Sequence, residues 1–393
     1  MENKYIEEIE NGLLHTYHRM PMMLERGEGV YVYDTDGKKY LDFGAGIAVS
    51  SLGYGNMEFN DALKHQIDQI IHTSNLYYHT ACAGAVSGLK RITEMDRVFF
   101  TNSGTEAIEG ALKAARKYAY SKQSGKYEFI AMEHSFHGRS IGAASVTGKE
   151  AYRTPFEPLM PGVRFGEFNN LDSIKALVND HTCAILMETI QGEGGIYPAA
   201  PEFMEGIRAL CDEQDILFIL DEIQCGMGRT GSMFAWQQYG VKPDIMATAK
   251  AIGNGIPVGA FAMTQEVAEH SLAPGDHGTT YGGNPLACAA VQKVIEIFER
   301  DHMVEHVREM GSYMEQQLDR LVSSYACVTA RRGRGLMQGL VVTKPLAQVT
   351  KAAMQEGLLI IGAGSDVIRL VPPLIINRDH VDEMIEKLEK VLQ

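Results

Sequence analysis

Four stretches of the chain set reactive side chains directly after apolar runs or at helix starts. Lys250 follows the run Ile245–Ala247 in Thr248-Ala249-Lys250-Ala251-Ile252-Gly253. A lysine fixed at a strand end among apolar neighbours would have its amine pKa depressed, and could then act as nucleophile and base near neutral pH. A loop lysine snorkelling to solvent has the same local sequence. Asp221 closes the run Ile216–Leu220. An acid there could hold a protonated pyridine nitrogen by charge and hydrogen bond, making such a ring an electron sink; it could equally bind Mg²⁺ or cap the next element. Thr101-Asn102-Ser103-Gly104-Thr105-Glu106 follows the run Val98–Phe100. The unpaired amides and dipole of a helix start favour an anion such as phosphate, although Ser103 and Glu106 also fit a capping box that needs no ligand. His277-Gly278-Thr279-Thr280-Tyr281-Gly282-Gly283-Asn284-Pro285 offers a second phosphate cradle, or simply a turn with Pro285 near a helix start.

These residues need elements to position them. From about residue 97, short apolar runs alternate with amphipathic helices: Val98–Phe100, Phe129–Met132, Ala184–Met187, Ile216–Leu220, Ile245–Ala247 and Val258–Met263. Continuous apolar runs read as strands buried on both faces, and their alternation with helices implies parallel βαβ units. Ligands in such sheets bind at the carboxyl ends of the strands, where Lys250, Asp221 and the 101–106 segment stand. Val30–Tyr33 and Lys39–Phe43, joined through Gly37, predict a hairpin. Phe59, Ala62, Leu63, Ile67, Ile70 and Ile71 recur at helical spacing and predict a helix with one buried face. Beyond the long helix Leu286–Glu299, short strands at Gly339–Val342 and Val367–Val371 mix with helices such as Val381–Leu392, a smaller α+β pattern.

Composition narrows the function classes. The chain has 393 residues, enough for two or three compact units at roughly 150 residues each. A net charge of −14 without a Lys/Arg-rich run argues against nucleic acid, so substrate anions would need specific arginines. Six cysteines without a CxxC pair, an acidic first dozen residues lacking a signal-peptide core, and no apolar run of about 18 residues point to a cytoplasmic setting with free thiols and no membrane partner. Three motifs are decoys. Gly138–Gly142 fits a hydrolase elbow but does not follow a strand directly; His302–His306 fits an inverted zincin signature but lies among charges; Gly148-Lys149 lacks the spacing of a P-loop.

The order of the blocks identifies more than any block alone. Tyr17, Arg26–Gly29, Gly46–Val49, Asn102–Ala107, Phe136-His137-Gly138-Arg139-Ser140, Gln191–Gly195, Asp221–Gln224, Cys225–Gly231, Thr279–Pro285 and Arg369–Pro373 together resemble the class III (ω-amino) aminotransferases over nearly the whole chain, closest to those acting on acetylornithine. Two stretches depart: residues 52–57 read Leu-Gly-Tyr-Gly-Asn-Met where the family commonly has Leu-Gly-His and then Pro, and Thr80–Asp96 matches loosely. The resemblance implies an α/β protein of fold type I (aspartate aminotransferase-like), with residues 1–50 joining a small domain, 51–290 forming the large cofactor domain and 291–393 the rest of the small domain. It implies pyridoxal 5'-phosphate held as a Schiff base on Lys250, with Asp221 on the pyridine nitrogen and Gln224 near the ring hydroxyl. Phe136 and Ile223 would flank the ring, and Gly104 and Thr105 would bind the phosphate, joined by Thr280 from the partner of a homodimer with shared sites. Arg139, with Thr279 nearby, would hold the substrate α-carboxylate, and Tyr17 would also touch substrate. Arg369 would grip the α-carboxylate of glutamate and pair with Glu193 otherwise. The implied reaction moves the δ-amino group of N2-acetylornithine to 2-oxoglutarate, a step of arginine biosynthesis; other ω-amino donors, or cofactor binding without transfer, are the alternatives.

Overall fold

The apolar runs assemble into one seven-stranded sheet. In the structure, a computed structural model describing residues 2–393, the strands lie in the spatial order Arg97–Thr101, Gly259–Met263, Ile245–Thr248, Leu217–Asp221, Thr182–Glu188, Glu128–Met132 and Val163–Gly166. Five of them pair parallel in a continuous run, while Gly259–Met263 is antiparallel to both of its neighbours. The sheet is therefore mixed but mostly parallel, as expected of the large domain, and the reading of the runs as parallel βαβ units fails only at Gly259–Met263. The reason is the connection: only ten residues, 249–258, separate the Ile245–Thr248 and Gly259–Met263 strands, too few for a parallel crossover of a dozen or more. Burial on both faces gives either direction the same apolar run. The Val163–Gly166 strand escapes the sequence pattern because it is an edge strand, only partly buried and interrupted by Arg164.

Thr101, Asp221, Thr248 and Glu188 end parallel-running strands, so the chemistry-bearing residues stand along one edge of the sheet. The helix Gly104–Ser121 returns across the sheet with a face of alanines. A Cβ at Gly110 would sit 2.1 Å from the Phe261 ring, so this helix reaches its place only because residue 110 has no side chain.

The N-terminal hairpin forms as expected, Tyr31–Asp34 against Lys39–Asp42, with Gly37 at φ +82°. Its sheet is completed by Leu358–Leu359 from the far end of the chain, paired parallel to Leu41 and Asp42. A second sheet of Val328–Arg334, Met337–Val342, Val367–Leu370 and Ile361–Ala363 carries Arg369. One apolar core runs from Val30 and Leu41 to Leu388 and Leu392, which joins the two ends of the chain to the large sheet. Tyr54, where the family commonly differs, donates its hydroxyl to Asp42 Oδ2 (2.5 Å) and packs its ring over Gly27.

One helix departs from expectation. Met57–Gln69 buries Phe59, but Ile67 is about half exposed, and Ile70 and Ile71 lie beyond the helix end and are equally exposed. Their spacing is helical, yet about half of each side chain is left uncovered by the chain itself. Among the described residues no helix is long and apolar enough to cross a membrane.

Replacing Gly110 tests the helix–sheet packing. Alanine would gain about 1 kcal/mol of helix propensity, but overpacking against a buried ring costs about 1–3 kcal/mol. Denaturant melts of Gly110→Ala should therefore show a net loss of stability; a gain would contradict this contact.

Candidate active site

Lys250 occupies the first position of a single 3-10 turn that follows the Ile245–Thr248 strand. Its φ is +51°, a left-handed conformation that disfavours a side chain by about 1–2 kcal/mol. The surroundings hold it there: Gly253 packs so closely that a Cβ would meet the Ile256 carbonyl at 2.3 Å. The side chain enters a cavity of about 370 Å³. Among the described residues its amine has no hydrogen bond or ion pair. Burial, and secondly the positive charge of Arg369, push the amine down to about 8.

Opposing features line the same cavity. Asp221 is 4% exposed. Its Oδ1 accepts from the Ile223 amide (3.0 Å), and its Oδ2 accepts from His137 Nδ1 (2.8 Å). The His137 amide is fixed on Thr147 Oγ1 (3.0 Å). Ser103 Oγ caps the Gly104–Ser121 helix by accepting from the Glu106 amide (3.2 Å), and the Glu106 carboxylate accepts from the Asn102 amide (2.6 Å). That cap uses the Glu106 amide, while Gly104 and Thr105, at the first two helical positions, both line the cavity. The cap and the anion site thus coexist at one helix start. Ile223 packs directly on Gly104, where a Cβ would sit 2.8 Å from its Cδ1.

All seven residues expected to hold the cofactor from within one chain, Gly104, Thr105, Phe136, Asp221, Ile223, Gln224 and Lys250, line this single cavity. Glu193 and Phe136 line an adjoining cavity with Lys149 and Tyr152. Arg369 is buried; it is ion-paired with Glu193 and donates to Gln224 Oε1 (3.0 Å) and the Gly362 carbonyl (3.0 Å). Arg139 lies 3.8 Å from the centre of the Tyr152 ring and 5.4 Å from that of Phe136, without a carboxylate partner among the described residues. Three residues stand apart from the cavity of their own chain. Thr279 Oγ1 accepts from Asn102 Nδ2 and the Gly282 amide, both at 3.1 Å; Thr280 is exposed; Tyr17 is exposed beneath the Arg19 guanidinium.

Sequence reasoning assigned no role to three further residues. Glu188 lines the cavity, accepts from the Phe136 and Gly192 amides, and is pushed well above the usual carboxyl range by burial and by the Asp221 charge. It closes the Ala184–Met187 run as Asp221 closes its own, so the same signal marked it. His137 was visible only as part of a block, and Tyr152 carried no signal. The decoys do not converge on any site: Ser140 donates to Glu109 (2.5 Å), and His306 bonds the Ile376 carbonyl.

A free amine, a buried carboxylate and a helix start around one cavity fit pyridoxal phosphate, an aldehyde with a ring nitrogen and a phosphate. The fold and the site define a pyridoxal-phosphate-dependent aminotransferase of fold type I. Residues 14–392 match the family described as Aminotransferase class-III, and the chain belongs to that family. It is 45% identical over 382 residues to the acetylornithine aminotransferase of Archaeoglobus fulgidus (97% of this chain, 98% of that one), and 44% identical to that of Caldanaerobacter subterraneus subsp. tengcongensis (97% of each chain). Among solved structures it is similar to the ornithine aminotransferase of Toxoplasma gondii (TM-score 0.95, 28% identity, 100% of this chain and 94% of that one). It is also similar to an amine transaminase from an uncultivated Pseudomonas species solved in its PLP-bound form (TM-score 0.92, 28% identity, 97% and 98% covered).

The depressed amine gives a pH prediction. In cofactor-free protein, amine-selective labelling of Lys250 followed by mass spectrometry should reach half-maximal rate near pH 8, not near 10.5. Glu193 opposes the shift by favouring the charged amine, so Glu193→Gln should lower that midpoint further. A midpoint above 10 would show that the amine is solvated.

Proposed function

We propose that the chain transfers the δ-amino group of N2-acetylornithine to 2-oxoglutarate, giving N-acetylglutamate 5-semialdehyde and glutamate in arginine biosynthesis. The observation that carries this reading is the identity of 42–45% to relatives named acetylornithine aminotransferase over about 97% of the chain. The ornithine and amine transaminases among the solved structures are only 28% identical, and support the fold and the cofactor more than the donor.

Bound in the cavity, pyridoxal phosphate supplies an electron sink for the carbanion left when the amino-bearing carbon loses its proton. The chain's own residues do the rest. Lys250 Nζ, held partly neutral at pH 7–8, would hold the cofactor through its aldehyde carbon until the donor amine takes its place, and, once released, would accept the proton from carbon and return it. Asp221, aligned by His137, holds the ring nitrogen in its charged form. Gly104 and Thr105 would take the phosphate at the helix start, Phe136 and Ile223 would hold the ring between them, and Gln224 would bond its hydroxyl. Arg139, unpaired and stacked on Tyr152, takes the α-carboxylate of the donor, with Thr279 and Tyr17 completing the substrate site. Arg369 is neutralised by Glu193 while an ω-amine is bound, and meets the α-carboxylate of 2-oxoglutarate or glutamate when Glu193 swings away.

The reading includes a homodimer in which Thr280 binds the partner's phosphate. Thr280 is exposed and outside its own cavity, and the Thr279 carbonyl beside it accepts from Asn75 (3.1 Å), in a stretch where Ile71, Leu76, Tyr77 and Tyr78 are exposed, as is Tyr281, whose ring packs against His72. A stretch of this kind marks an interaction surface. It also includes a cytoplasmic setting, in keeping with six cysteines that form no disulfide.

A donor panel tests the assignment. With 2-oxoglutarate as acceptor, N2-acetylornithine should give a higher kcat/KM than ornithine, N2-succinylornithine or 4-aminobutyrate, and a higher value for any of these would overturn it. Arg139→Ala should cost about 2–4 kcal/mol in kcat/KM for acetylornithine, the loss of a charge-assisted partner. The same variant should barely change the rate with putrescine, which has no carboxylate; equal losses would remove Arg139 from this role.

A further inference from the structure

We infer that His79, Cys82 and Cys288 form a binding site for a thiophilic divalent cation of the Zn²⁺ class, separate from the catalytic cavity. Cys82 is in the first turn of the helix Thr80–Thr93, and Cys288 in the first turn of Pro285–Arg300. His79 is the residue before the first of these helices. One ligand atom from each lies within 4.8 Å of the other two, and this is the only such group of three among the described residues. Ligands around tetrahedral Zn²⁺, at about 2.0–2.3 Å from the metal, stand closer together than that. Modest rotation of the side chains would bring them into place.

The imidazole has the tautomer of a metal ligand. Its Nε2 donates to the Gly283 carbonyl (3.0 Å), so Nδ1 carries the lone pair. That lone pair accepts from the Cys82 amide (3.1 Å), a helix cap that a cation would displace as the ring turns toward the two thiols. A ligating histidine ordinarily donates its other ring N–H to a carbonyl or carboxylate in this way. Helix capping alone explains the Cys82 amide, but not two thiols from separate helices gathered beside the same ring. Two thiolates would neutralise a divalent charge at a site where Cys288 is fully buried. Two sulfurs and an imidazole select Zn²⁺-like cations over Mg²⁺ or Ca²⁺. Within one chain His79 and Cys82 are partly exposed.

The two helices are built to keep these ligands together. They cross closely where Gly84 and Gly88 face Gln292 and Ile295; a Cβ at Gly84 would meet the Gln292 side chain at 2.3 Å. Gly283 accepts from both His79 and the Cys288 thiol (3.3 Å). A bound cation would therefore clamp the two helices and steady the segment 279–283.

The test uses reduced, chelator-washed holoenzyme titrated with Co²⁺ alone. Co²⁺ in a tetrahedral thiolate site absorbs at long wavelength, clear of the cofactor. One equivalent per chain should give that absorption, Zn²⁺ should displace it, and Zn²⁺ should raise the melting temperature. Cys82→Ser and Cys288→Ser should each abolish the absorption while keeping bound cofactor and an unchanged melting temperature without metal. His79→Gln should weaken uptake by more than about tenfold, since even outer-shell losses cost about 10–100-fold. No long-wavelength absorption in the wild type, or absorption that survives both cysteine substitutions, would overturn the site. So would Co²⁺ or Zn²⁺ failing to bind while peptide mapping finds Cys82 joined to Cys288 on air exposure.

Discussion

An amine buried beside a cavity, with no anion bonded to it, is the constraint on which the rest of the structure depends. Moving Lys250 from water into this wall lowers its pKa from 10.5 to about 8, a cost to the ammonium form of about 3 kcal/mol. The fold must therefore supply a rigid socket. It does so with a strand end, a left-handed backbone at residue 250 and a glycine at 253 that admits the Ile256 carbonyl. Acids nearby must be kept from quenching the amine. Glu188 is pushed well above the usual carboxyl range by burial and by the Asp221 charge, Asp221 is engaged by His137 and the Ile223 amide, and Glu193 is turned onto Arg369.

That last pairing links the two adjoining cavities, one lined by Gln224 and the other by Glu193. Arg369 comes from the sheet near the C-terminal end, Glu193 from the loop after the Thr182–Glu188 strand, and Gln224 from the loop after Asp221. Three elements far apart in sequence thus meet at one guanidinium. Its charge also lowers the Lys250 amine. The charge at Arg369 and the reactivity of Lys250 are for this reason electrostatically coupled.

Much of this was legible in the sequence, for identifiable reasons. Strands buried on both faces leave continuous apolar runs, and Asp221 and Lys250 stand at their ends, so spacing placed them at the sheet edge while leaving their roles open. The order of blocks then carried the family. Strand direction was not legible, because Gly259–Met263 is equally apolar either way up. Nor was the exposure of Ile67, Ile70 and Ile71, since helical spacing records an apolar surface without saying which molecule covers it. His137 and Tyr152 act through contacts made by folding, with Asp221 eighty-four residues away and with the Arg139 guanidinium. No spacing rule reports such contacts.

The central claim is that this one amine, and no other lysine, carries the cofactor. Borohydride reduction of the purified holoenzyme, followed by proteolysis and mass spectrometry, tests it directly. The account predicts a single pyridoxyl adduct, on the peptide containing Lys250, at one equivalent per chain. An adduct on any other lysine, or full incorporation in Lys250→Ala, would contradict it.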